Sequence, residues 1–302
     1  MYDILIGAII LVIIIIICMC KKSSISPVLK IDQSVINNIP RKIYMTTHID
    51  IQFVPDLLKC HANKLDLELY DDVMARKYLV LHWNQEVVEY FDNLKMGAHK
   101  MDLWRYCKLY MDGGIYLDIK TIPVKNLEEI FEIETNTNTW YTCLSAVSGC
   151  YQGIIATPPK NPILLRCIHQ MLKTSQEIID DNYLIFTEQM HNICKIAYNS
   201  LCDTSSLYIS KDATRVPNLI LFKESCDEVE CMFTIVDRYG ICCNIRNTKG
   251  EHIFRTRESE YPWKKLPENQ TSIKNRKSLK IIKSIGKPPT PLVNLPPYPS
   301  FQ

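Results

Sequence analysis

The sequence predicts an α/β domain with a mainly parallel sheet flanked by helices, and three observations carry that reading. Short β-type runs alternate with longer helical patterns, an order that builds parallel sheets because each crossover needs room for a helix. The chain has 302 residues, 47% of them hydrophobic, which is enough for one substantial core. Its 35 basic and 33 acidic residues nearly cancel to a formal charge of +2. Such a balance gives no global field for a polyanion, so nucleic acid is not an expected partner.

From the N-terminus, Ile4–Cys20 is a run of 17 residues without a charge, followed at once by Lys21 and Lys22. As a helix it is just long enough to cross a thin bilayer. No basic region precedes it, which favours a retained anchor over residues 1–22 rather than a cleaved signal. The expected location is a membrane of the endoplasmic reticulum, Golgi or host endomembrane system, reached by a single pass. The lysines after the span favour a cytoplasmic body, whereas work on secreted glycans would need a luminal one, so orientation stays open. Residues 23–38 read as a polar stem, 39–267 as the folded body and 268–302 as a basic, Pro-rich tail. That tail, with Pro288-Pro289 and Pro296-Pro297, cannot continue a packed core and is expected to be extended or disordered.

Within the body, a strand over Lys42–Met45 precedes a helix through Leu57 and Leu58. A second strand over Leu67–Tyr70 precedes one through Ala75 and Leu79. A helix around Met101–Met111 leads into the strand Ile115–Asp118, and further helices are expected near Ile163–Leu172 and Thr187–Tyr198. In sheets of this kind ligands gather at the carboxyl ends of the strands.

The segment Ala98–Asp118 holds the chemistry. Leu103, Cys107, Tyr110 and Met111 recur at helical spacing, which predicts an amphipathic helix. Asp102 and Arg105 lie one turn apart on a common face. Gly113-Gly114 permits a tight reversal, after which the strand delivers Asp118 to the carboxyl edge of the sheet. Two carboxylates and a guanidinium can thus converge on one pocket. The bland alternative is a surface ion pair on a helix plus an acid ending a strand. The double glycine and the aromatic Trp104, Tyr106 and Tyr116 in the same short stretch weigh against it.

This stretch resembles the DXD-containing sugar transferases, a family that includes the yeast initiating mannosyltransferase and capsular-polysaccharide enzymes and has copies in large DNA viruses. The residues that carry the likeness are Lys100, Asp102, Arg105, Tyr106, Leu109, Gly113, Gly114, Tyr116 and Asp118. Flanking similarity runs through Ile39-Pro40-Arg41-Lys42-Ile43, Tyr70-Asp71-Asp72 and Gly153–Ala156 with Asn161-Pro162. The resemblance implies a GT-A, Rossmann-like fold. It also implies retaining transfer of a hexose from a nucleoside-diphosphate sugar to a glycan or glycolipid near a membrane. By the same resemblance Asp102 and Arg105 contact hydroxyls of the donor sugar, and Asp118 contacts the sugar or ribose and the shell of a divalent ion, Mn2+ or Mg2+. Donor contacts are further expected at Tyr44, Thr46, Thr47, Tyr106, Gly114, Tyr116, Glu188 and Trp263.

Two positions depart from the pattern. Lys120 stands where the family has its second aspartate, and an ammonium cannot ligate a metal. Either the ammonium neutralises the diphosphate itself, which counts Lys120 among the catalytic residues, or the site is degenerate and the chain is a membrane-tethered sugar- or partner-binding protein of the same fold. Thr47 occupies the place of an aromatic base-stacking residue, a role that Tyr44 or His48 could take. Glu188 has an ordinary alternative as an acid in the first turn of a helix, and Trp263 as a core plug. The seven histidines are dispersed and read as structural or solvated, and the thirteen cysteines contain no CxxC pair, which argues against zinc.

Overall fold

The computed structural model describes residues 38–47, 58, 61–62, 64–135, 137–146, 148–198, 207–208, 216–225 and 243–256. The anchor expected at 1–22, the stem up to residue 37, His48, the helix expected through Leu57, Trp263 and the tail at 268–302 lie outside the described residues. Among the described residues, no helix is long and apolar enough to cross a membrane.

The described strands are β1 (Lys42–Thr46), β2 (Asp66–Tyr70), β3 (Gly114–Leu117), β4 (Ile122–Pro123), β5 (Thr139–Leu144), β6 (Cys150–Thr157), β7 (Leu207–Tyr208), β8 (Asn218–Ser225), β9 (Cys243–Arg246) and β10 (His252–Thr256). The helices are α1 (Asp72–His82), α2 (Gln85–Asn93), α3 (Gly97–Asp112), α4 (Leu127–Ile130), α5 (Pro162–Leu172), α6 (Gln176–Asp181) and α7 (Ile185–Tyr198). One sheet joins the strands in the order β2-β1-β3-β6-β5-β8-β9-β10-β4, with β7 paired to β8.

The expectation of a mainly parallel sheet is corrected here. Only β1/β2, β1/β3 and β5/β8 pair in parallel. The pairs β3/β6, β5/β6, β8/β9, β9/β10, β4/β10 and β7/β8 are antiparallel. The reason is local. Between β3 and β6 the chain passes through two short elements and turns back through β5, so β6 enters beside β3 as the return arm of a hairpin rather than by a helical crossover. Since β6 runs against both β3 and β5, the strands β1, β2, β3, β5 and β8 all point the same way, and their carboxyl ends share one edge.

Strand alternation divides the core between the two faces of the sheet. Tyr44, Tyr116 and Ile155 face the side covered by α1, α2, α3, α5 and α7. Ile43, Met45, Ile115, Leu117 and Ile154 face the other side, where Leu127, Ile130 and Phe131 close over them. Helices α1, α2 and α5 begin on side-chain caps, with Asp71, Asn84 and Asn161 each accepting from an amide of the first turn and Pro162 opening α5.

Helix α3 departs from the amphipathic expectation. Every residue from Met101 to Tyr110 is buried, because α1, α2 and α5 pack around a helix that already lies on the sheet. Asp102, Arg105 and Lys108 are therefore enclosed on a central helix, and each must find its partners inside the protein. The helix ends at Gly113 with φ 63°, and a Cβ there would come within 2.6 Å of the Pro159 nitrogen. Gly114 follows at φ 106°, where a Cβ would meet the Tyr44 ring at 2.9 Å. The double glycine is thus what lets β3 start directly beneath its own helix.

Candidate functional site

The shared carboxyl edge collects Thr46 at the end of β1 and Thr47 after it, Tyr70 at the end of β2, Asp118 after β3 and Ser145 after β5. Asp118 is fixed in two ways. Its amide donates to the Gly153 carbonyl at 2.9 Å, continuing the β3/β6 ladder by one residue. Its carbonyl accepts from the Thr121 amide at 2.8 Å, closing a β-turn in which Lys120 is the third residue. Thr121 is held in turn by Tyr151, hydroxyl to hydroxyl, at 2.9 Å.

Arg105 joins the helix to that edge. Its Nε donates to the Met101 carbonyl at 3.2 Å and its Nη1 to the Gln152 carbonyl at 2.7 Å. Nη1 also reaches Asp118 Oδ1 at 3.3 Å, and Nη2 lies 3.1 Å from Asp102 Oδ1. The guanidinium stacks 4.2 Å from the centre of the Tyr116 ring. With four partners and an aromatic floor, it is a fixed charge rather than a mobile one. Tyr116 donates its hydroxyl to Asp118 Oδ1 at 2.9 Å and shares a bond of equal length with Thr46 Oγ1. The bonds from Arg105 and Tyr116 to the Asp118 carboxylate both fall on Oδ1. The side chains of Asp102 and Arg105 are 12% and 7% exposed while that of Asp118 is 35% exposed, so the group opens outward at Asp118.

This enclosure excludes the surface ion pair as the explanation of Asp102 and Arg105. Burial pushes the Asp102 carboxyl up to about 6, against the opposing pull of Arg105. Burial by itself would lower the Arg105 guanidinium, but Tyr116, Asp118 and Asp102 together hold it above its ordinary value. Burial likewise raises Tyr116, which keeps its hydroxyl a proton donor toward Asp118.

The other expected contacts fall in distinct places. Thr46 and Tyr116 belong to the group just described, whereas Thr47 is buried with its amide bonded to the Tyr70 carbonyl at 2.9 Å. Tyr44 is enclosed in the core under the Lys108 ammonium, 4.6 Å from its ring centre, so a nucleobase could reach it only if the core opened. Gly114 presses its Cα against that same tyrosine. Tyr106 is fully buried; it accepts from the Gln152 side-chain amide and donates to Met190 Sδ at 3.4 Å, and so lies behind Arg105. Glu188 accepts from Ser148 Oγ and Asn182 Nδ2, each at 2.9 Å, clamping the β5–β6 turn to the α6–α7 link.

Sequence reasoning missed Gln152, whose carbonyl takes the shortest bond Arg105 makes from 47 positions away. His99, expected to be structural or solvated, is a core residue. That ring is buried one turn before Asp102 and contacts Tyr183 and Phe186, with Nε2 bonded to the Tyr183 carbonyl at 3.0 Å. No signal in the sequence marked Gln152.

Residues 28–138 match the family model described as a glycosyltransferase sugar-binding region containing a DXD motif. A curated relative, an uncharacterized glycosyltransferase of Acanthamoeba polyphaga mimivirus, is 29% identical over 132 residues, which is 41% of this chain and 52% of the relative. The chain thus spans about half the length of the curated relative that it matches. Among solved structures, the PaToxG glycosyltransferase aligns with a TM-score of 0.42 and 15% identity over 53% of this chain and 69% of that one.

Proposed function

We propose that this chain, whose residues 28–138 match the model of a glycosyltransferase sugar-binding region, transfers a hexose from a nucleoside-diphosphate sugar to a hydroxyl of a glycan or glycolipid. The observation that carries the reading is the enclosed Asp102–Arg105–Asp118 group at the carboxyl edge of the parallel strands. It places two carboxylates and one guanidinium at the end of the sheet where ligands of α/β proteins collect. Carboxylates accept hydrogen bonds from sugar hydroxyls, and the fixed guanidinium keeps both carboxylates aligned before the donor arrives. In the transfer, the bond from the sugar C1 to the diphosphate oxygen breaks and its electron pair leaves with the diphosphate. The acceptor oxygen bonds C1, and its proton is released. Retention of configuration follows from the family resemblance, and an anchoring role for Ile4–Cys20 rests on the sequence alone.

The competing reading is a binding protein of the same fold that has lost turnover, and the feature that favours it is Lys120. Incubation of the purified chain with a panel of UDP- and GDP-sugars separates the two. The transferase releases free nucleoside diphosphate from at least one donor, by slow hydrolysis or by transfer to an added glycan. Tight binding with no release from any donor would leave the binding protein as the better description.

A further inference from the structure

We propose that this site handles the donor diphosphate without a divalent ion, the Lys120 ammonium supplying the charge that a metal and a second aspartate would otherwise bring. The inference rests on the donor reading above and concerns how that same site holds its ligand. The residues at the β3 turn do not fit a divalent ion. Magnesium and manganese favour six oxygen ligands and are held by carboxylates together with substrate phosphates. Here Asp118 is the one carboxylate on the turn, and its Oδ1 is already taken by Tyr116 and Arg105. Arg105 lies between Asp118 and Asp102, within 3.3 Å of both, where it occupies the space between the two acids with a cation of its own. Among the described residues no group of three or more His, Cys, Asp or Glu is arranged to hold a metal.

Charge balance points the same way. Asp102 and Asp118 bring two negative charges to the group and Arg105 one positive charge, and the sequence adds a second positive charge at Lys120, two residues after Asp118 on the same turn. An aspartate at position 120 would leave the group with two uncompensated negative charges, which a divalent ion would neutralise. Replacing aspartate by lysine changes the charge by the same two units, so the group is neutral before the donor binds and needs no ion to accept a diphosphate. Position 120 is suited to the task, because the turn closed by the Thr121 amide and Asp118 carbonyl ties Lys120 to the carboxyl edge. An ammonium there serves as a point charge for phosphate oxygens, the role lysine fills in phosphate sites generally.

Binding of UDP and of GDP to the full chain is measured by calorimetry in EDTA and in Mn2+, for the wild type, Lys120→Gln and Lys120→Asp. Thermal melting confirms that each variant folds. The wild type is expected to bind one of the two nucleotides with affinities that agree within about threefold in both buffers. Lys120→Gln is expected to weaken that binding by at least about tenfold, and Lys120→Asp to bind weakly in EDTA and recover in Mn2+. A wild type that requires Mn2+, or a Lys120→Gln variant that binds as tightly as the wild type, overturns the proposal and leaves the donor reading standing. Binding of neither nucleotide in either buffer overturns the donor reading and this proposal together.

Discussion

Arg105 and its two acids tie affinity to stability at the scale of single side chains. Removing the guanidinium would leave Asp102 buried without its counter-ion, a loss that typically costs about 3–5 kcal/mol, so Arg105→Ala tests folding as much as chemistry. Asp118 is the cleaner probe, since its side chain is one-third exposed and a shape-conserving change keeps the turn. Asp118→Asn is expected to lower donor turnover by at least about tenfold while the melting temperature changes little, because it removes a single charge at the outer end of the group. Donor hydrolysis and melting curves on the same preparation check both halves. Asp102 makes a pH-dependent contribution. Its carboxyl titrates near 6 when folded, above the ordinary aspartate value, so the folded state binds the proton more tightly than the unfolded chain does. The stabilisation from that proton is complete below about pH 4 and is lost as pH rises through about 6. Between pH 4 and pH 7 in denaturant unfolding, the wild type should therefore lose stability relative to Asp102→Asn by the order of 2–3 kcal/mol.

Helix α3 carries two polar centres that serve different ends. Toward its start, Asp102 and Arg105 face the sheet edge that ends in Asp118. Toward its finish, Lys108 is buried with Asp112 at 2.7 Å and Glu68 at 3.5 Å, and its ammonium lies over the rings of Tyr44, Tyr70 and Tyr78. Burial is the largest influence on Glu68 and would raise its carboxyl, but Lys108 and Lys42 outweigh it and hold the group below its ordinary value. This second centre pins α3 to β2 and α1. Lys108→Ala is expected to destabilise the protein by about 2–3 kcal/mol, because it removes the buried cation between Asp112 and Glu68 and opens a cavity among three tyrosines. Turnover of the folded fraction should persist, since Lys108 contacts neither Asp102 nor Asp118. A variant that melts normally but has lost turnover would show that the two ends of the helix do not act separately.

For the molecule as a whole, the mixed sheet makes the site a meeting point of distant segments. β1, β3 and β5 deliver their carboxyl ends to one edge, and β6 brings Gln152 beneath Arg105. The clamp of Glu188 on Ser148 and Asn182 fixes the neighbouring turn to α7, where a Cβ on Gly149, at φ 67°, would come within 2.5 Å of the Thr187 carbonyl. A ligand that bridges such segments stabilises the fold by mass action. A nucleotide sugar that fits should raise the unfolding free energy by about 2.7 kcal/mol at a hundred times its dissociation constant. Melting curves over the UDP- and GDP-sugar panel would identify it, and a panel without any shift would contradict the donor reading.

The motif from Lys100 to Asp118 was legible in sequence because its parts are local. Helical spacing puts Asp102 and Arg105 on one face, the double glycine turns the chain, and a strand of four residues sets Asp118 at its end. Helix caps at Asp71 and Asn161 are local as well. The direction of β6 was not legible, since a period of two reads the same in parallel and antiparallel strands and only the neighbour decides. Nor was the burial of α3, whose polar residues at 102, 105 and 108 imitate a solvent face until α1, α2 and α5 close around them. The sequence by itself determined which charges exist and which of them share a helical turn. Tertiary structure alone decided that they are dry and held by Gln152 and Tyr116, because burial and long-range hydrogen bonds depend on what the rest of the chain packs against them.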